Sequence, residues 1–174
     1  MPSPLPEVWL RGPVPGVAPA LQPVAHALLQ AREDVERLAL PLTPEELWQM
    51  PGGAASIGFH LRHMAGSLDR LLTYARGEAL TEAQRAALAV EKDVTPEVDA
   101  GALVAEVHAA IDRALEQVRR TPEAALDAPR AVGRAGLPST VRGLLAHAAE
   151  HTARHAGQIS TTVRVVRGLA ASPR

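Results

Sequence analysis

The 174-residue chain contains no cysteine. That removes disulfides, thiolate-bound zinc, iron–sulfur clusters and thiol nucleophiles together. Any transition-metal site must be built from histidine and carboxylate. Aromatic residues make up only 2% although 47% of the chain is hydrophobic, so the core has to be alanine, leucine and valine. Alanine and leucine favour helix, and small side chains let helices approach one another closely. Few stacking aromatics and a formal net charge of −1 argue against nucleic acid as a partner. The nine arginines from Arg119 onward, set against Glu123, Asp127 and Glu150, read as a solvated helix face. No run reaches the roughly 18–20 apolar residues of a membrane span, so no membrane partner is expected. The first residues show no basic-then-apolar leader pattern, and the expected location is the cytoplasm.

No stretch shows the Val/Ile/aromatic alternation of strands, whereas helical periods are frequent. Residues 1–17 are rich in proline and are expected to form an extended arm, anchored by Trp9 and Leu10. The periodicity predicts a first helix from about Pro19 to Leu40. Thr43-Pro44-Glu45-Glu46 signals a short helical turn with an N-cap and a proline-led start. A second long helix is predicted from an N-cap at Ser56 to a stop at Gly77. A short helix is expected over 81–90, and a third long one begins near Thr95-Pro96-Glu97 and ends near Arg120. Residues 121–137 read as loop, and Pro138-Ser139-Thr140 opens a fourth long helix running to about Gly168. The expectation is all-α: one four-helix bundle domain over 18–170, with short extra helices in its connections.

The seven histidines carry the chemistry. His147, His151 and His155 recur every fourth residue and stack along one stripe of the fourth helix. Two such imidazoles plus one from elsewhere make a metal site with an open position. The candidates elsewhere are His26, His60, His63 and His108. His147-Ala148-Ala149-Glu150-His151 also matches an inverted zinc-protease motif, but no Asp or Glu follows His151 to supply its downstream ligand. The Glu-x-x-His pairs of di-iron bundles are missing, as is a phosphate-binding glycine loop.

Two blocks resemble the DinB/YfiT family of small metal-binding four-helix bundles. One is Ser56 with His63 seven residues on, continuing Met64-Ala65-Gly66-Ser67-Leu68-Asp69-Arg70. The other is His151-Thr152-Ala153-Arg154-His155-Ala156-Gly157-Gln158-Ile159, which looks like the family's H-x-x-x-H-x-G-Q-I signature. The resemblance implies His63, His151 and His155 as ligands of a divalent transition metal, zinc or nickel before iron. His60 would then flank or line the pocket, and His147 would drop out. Gln158 could hydrogen-bond behind the ligands or pack against the first helix. His26 is a candidate proton shuttle beside the metal, with a packing role as its equal alternative. His108 reads as surface or inter-helix packing.

In function, the resemblance implies an enzyme that transfers a low-molecular-weight thiol, of the bacillithiol or mycothiol class, to an electrophilic small molecule. The alternative is a non-catalytic, stress-associated metal-binding bundle. Arg62 or Arg154 could meet a carboxylate on the thiol or substrate, although solvated positions suit both. A homodimer is compatible with the Ala/Leu-rich surface.

Overall fold

The computed structural model describes residues 5–171, so the first four residues of the expected arm lie outside the described residues. Six α-helices follow one another: α1 (Gln22–Ala39), α2 (Pro44–Trp48), α3 (Ile57–Ala75), α4 (Glu82–Ala89), α5 (Ala100–Arg120) and α6 (Val141–Ala171). α1, α3, α5 and α6 form the bundle. Their caps are those that local chemistry favours. Ser56 accepts from the amide of Phe59, and Thr43 and Thr81 each close a capping box, with Glu46 and Gln84. α5 begins later than Thr95-Pro96 suggests, because Asp99 is the residue that caps it, through Ala102.

The helices pack in the ring α1–α6–α3–α5, closing back onto α1. Side-chain contacts give their directions. His63 and His60 of α3 meet His151 and His155 of α6, in antiparallel sense. Arg62 meets Thr95 just before α5 and Arg76 meets Gln117 near its end, so α3 and α5 run parallel. Arg167 reaches the Pro41 carbonyl while Ala153 and His26 share a groove, which makes α1 and α6 parallel as well. A parallel neighbour cannot be reached by a short turn. The chain must therefore travel back along α3 before α5 can start, and residues 76–99, including α4, are that return path.

The core is built as the composition requires, from Leu28, Leu61, Leu68, Leu103, Ile111, Leu145 and Ile159, with alanines between them. Gly58 lies against the Trp48 ring, where a Cβ would fall 2.6 Å from the indole, so the one buried tryptophan packs directly on the α3 backbone.

Two expectations need correction. Residues 129–140 are not loop and helix start: Pro129–Val132 (β1) and Leu137–Thr140 (β2) pair antiparallel as a small hairpin. Gly133 and Gly136 supply its positive φ angles, and Thr140 then caps α6 by accepting from the Gly143 amide. The described part of the arm is not wholly extended, since Val8–Arg11 form a 3-10 turn. Its anchor is Val8, which is buried, while Trp9 and Leu10 are 61% and 57% exposed.

Candidate metal centre

Where α3 crosses α6, four imidazoles come together. Nε2 of His63 lies 3.0 Å from Nε2 of His151, and Nδ1 of His60 lies 2.9 Å from Nδ1 of His155. The i, i+4 spacing places the His151 and His155 rings 4.6 Å apart at their centroids, and His63 sits 4.7 Å from His155. His63, His151 and His155 each bring one nitrogen within 4.8 Å of the other two. With Nδ1 of His155 committed to His60, its Nε2 is the nitrogen left for an ion.

Below this cluster lies a carboxylate that the sequence reading did not select. Glu91, 5% exposed, holds Nδ1 of His63 at 2.7 Å with one oxygen and accepts from Arg70 at 2.8 Å with the other. It comes from the return path, just past α4. Burial pushes the Glu91 carboxyl up, but the hydrogen bonds and charges of His63 and Arg70 outweigh it and hold it below the usual range. A lone carboxylate in Val90-Glu91-Lys92 carries no local signature, which is why periodicity and spacing pass over it.

The donor set fits a transition metal. Three imidazoles suit zinc, nickel or iron, and the absence of oxygen ligands among them disfavours magnesium and calcium. Burial also favours the neutral form, the form that ligates, of His151 and His155. Burial pushes His155 down to about 4, helped by the neighbouring His151 and His63. Burial lowers His60 and His151 too, with the charge of His63 next in each case. Among the described residues, Nδ1 of His151 is buried without a hydrogen-bond partner.

These shifts have a signed consequence. An unfolded histidine titrates near 6.5, so between about 6.5 and about 4 the unfolded chain binds protons that folded His155 refuses. Stability of the metal-free protein should fall as pH drops through that window. Glu91, lowered in the fold, adds a loss below about 4.5. Thermal melts of chelator-stripped protein from pH 7.5 to 4.5 check this; a constant melting temperature would contradict it.

The remaining candidates are placed as follows. His147 is half-exposed with Nδ1 3.4 Å from Glu150, outside the cluster. Glu150 in turn accepts from Arg154 Nε at 2.9 Å, so the protease-like motif assembles no site. Arg62 binds the Asp93 carbonyl and the Thr95 hydroxyl, with its guanidinium over the Trp48 ring. Nε2 of His108 is buried 3.9 Å from a Glu36 oxygen, in inter-helix packing. His26 is not brought to the cluster: its Nε2 lies 3.0 Å from the Gly12 carbonyl. It lines a groove of about 720 Å³ with Trp9, Ala153 and Gly157, on the flank of α6 turned to α1. A second groove, about 470 Å³, touches the cluster through His60 and is lined besides by Ala54, Ala55, Arg154, Gln158 and Thr161.

Fold and cluster together define a helical bundle with a three-histidine site able to hold a divalent metal. The chain belongs to the DinB superfamily, whose family model matches residues 27–159. A crystal structure of a conserved protein from Enterococcus faecalis superposes with a TM-score of 0.70 at 19% identity, covering 85% of this chain and 97% of the other. A DinB-like protein from Bacillus cereus superposes with a TM-score of 0.60 at 17% identity, covering 79% and 89%. Both likenesses concern the fold. No curated protein matches the chain. Among the described residues, no helix is long and apolar enough to cross a membrane.

Proposed function

We propose that the protein is a divalent-metal-dependent enzyme of the cytoplasm, transferring a low-molecular-weight thiol of the bacillithiol or mycothiol class to an electrophilic small molecule. The observation that carries the reading is the convergence of His63, His151 and His155 in a chain with no cysteine of its own. The nucleophilic sulfur then has to arrive with a co-substrate. His63, His151 and His155 would hold zinc or nickel, with iron as the next choice, and the ion would supply Lewis acidity that favours the thiolate form of the co-substrate.

The chain's own residues hold and orient. His63 and His155 are each fixed at their second ring nitrogen, and His60 forms the wall between the cluster and the 470 Å³ groove. Gln158 and Thr161 offer amide and hydroxyl groups to a polar thiol in that groove. Arg154 could meet a substrate carboxylate only by leaving Glu150, and Arg62 is occupied by Asp93, Thr95 and Trp48. The position of His26 favours the second reading, a non-catalytic metal-binding protein, because the one acid–base residue expected outside the cluster faces a different groove.

One assay separates the two. Purified protein is analysed for metal, loaded with zinc or nickel, and offered each thiol with a model electrophile. Conjugation in the wild type that disappears in His63→Ala supports the enzyme. One bound metal per chain with no conjugation supports the binding protein. In the same assay, unchanged turnover in His26→Ala removes the proton-shuttle role.

A further inference from the structure

The return path between α3 and α5 retraces α3 residue by residue. Gln84 donates to Asp69 and Thr73, Glu91 joins Arg70 and His63, and Arg62 takes the Asp93 carbonyl and the Thr95 hydroxyl. Three successive turns of α3 are thus tied to one connecting segment. At the middle tie the helix is pared to backbone. A Cβ on Gly66 would fall 2.5 Å from the Glu91 carboxylate and 2.8 Å from the Arg70 guanidinium. A merely structural connection needs neither a glycine there nor a buried ion pair aimed at a histidine.

We infer that Glu91 is the positioning residue of the metal centre, delivered by the return path to hold His63 with its Nδ1 protonated and its Nε2 free for the ion. The inference rests on the reading of His63, His151 and His155 as ligands. A carboxylate behind a ligating imidazole fixes the ring's tautomer and rotation and raises its basicity. Arg70 keeps the carboxylate in place through its other oxygen, and Gly66 makes the approach close enough. His155 has another imidazole behind it and Nδ1 of His151 has no hydrogen-bond partner, so among the described residues Glu91 is the one carboxylate hydrogen-bonded to a ring of the set. The connection is therefore half of the site and not a spacer.

The test uses Glu91→Gln, which keeps the shape and removes the charge, and Gly66→Ala, whose methyl pushes against Glu91 and Arg70 while every polar side chain is kept. Zinc affinity of chelator-stripped protein is measured by competition with a chromophoric chelator. Both variants are expected to bind zinc about 10–100-fold more weakly than the wild type. Nitrogen-15 NMR of the metal-free protein provides a readout that general destabilisation does not move. His63 should be the Nδ1–H tautomer in the wild type and should lose that preference in both variants. Wild-type zinc affinity in folded Glu91→Gln, within about twofold, would overturn the inference while leaving the centre intact. Absence of zinc binding by the wild type would instead overturn the centre, and the His63 tautomer would still decide what Glu91 does. A His63 tautomer unchanged by Glu91→Gln overturns the inference in either case.

Discussion

His155→Ala should emerge from purification with less than about a tenth of the metal carried by the wild type. His155 is the most enclosed of the three candidate ligands, at 8% exposure, and burial pushes it down to about 4, which favours the neutral ring at pH 7. No proton competes with the ion for that nitrogen. Its removal leaves two imidazoles, and it also strips His60 of its Nδ1 partner, so nothing holds the fourth ring in a useful pose. Even the loss of a residue behind a ligand typically costs 10–100-fold in affinity, so loss of the ligand itself should cost at least about 100-fold. The same loss should appear thermally. At free metal near a hundred times its Kd, the wild type gains about 2.7 kcal/mol by mass action, and the variant should gain almost none. Elemental analysis and paired melts with and without zinc read both effects. A variant that keeps one metal per chain would show that His60 or another group had replaced it.

Arg70→Met should be the most damaging single change to stability, costing about 3–5 kcal/mol at pH 7. Arg70 and Glu91 form an ion pair whose side chains are only 10% and 6% exposed, and removing the guanidinium leaves a buried carboxylate supported by His63 alone. Burial, the largest influence on Glu91, would then push its pKa up. The defect should accordingly shrink as the pH is lowered and the carboxyl takes up a proton. Adding Glu91→Met to Arg70→Met should recover much of the loss, since two buried charges replaced by apolar groups of similar volume are usually tolerated. Urea titrations at pH 7 and pH 5 on the single and double variants check all three statements. A single variant within 1 kcal/mol of the wild type would mean that water reaches Glu91.

The bundle was legible in the chain because its signals are local. Ser56, Thr43 and Thr81 sit where a helix start needs a side-chain acceptor, and the apolar faces of the long helices repeat at 3.6 residues. His151 and His155 were legible for the same reason, one helical turn apart, while His63 needed the family likeness to distinguish it from His60. The structure separates those two by chemistry: His63 points Nε2 at His151, and His60 turns Nδ1 onto the back of His155. What periodicity could not show is where helices lie relative to one another. The parallel setting of α3 and α5 follows from packing, and only that setting brings Glu91 to Gly66. The hairpin over 129–140 escaped for want of alternation, although Gly133 and Gly136 around a two-residue tip were a turn signal of the right kind. In the arm, Val8 is the buried residue of its turn, and the larger Trp9 and Leu10 beside it stay exposed.

The ring order of the bundle bears on how the chain finds its fold. α1 does not pack on α3, its successor among the four long helices, nor α5 on α6; of the neighbouring pairs, only α3 and α5 follow one another. Most of the core is therefore assembled from partners distant in sequence, which slows folding relative to a bundle of successive hairpins. The segment from α3 to α5 joins two long helices that are consecutive among the four and pack on each other, and it already contains His63 and Glu91. α6 brings His151 and His155 to it, 88 residues beyond His63 and 95 beyond His60 respectively. Stopped-flow refolding with and without zinc should then show the ion slowing unfolding and leaving the folding limb nearly unchanged, because the centre is completed only when the last helix docks.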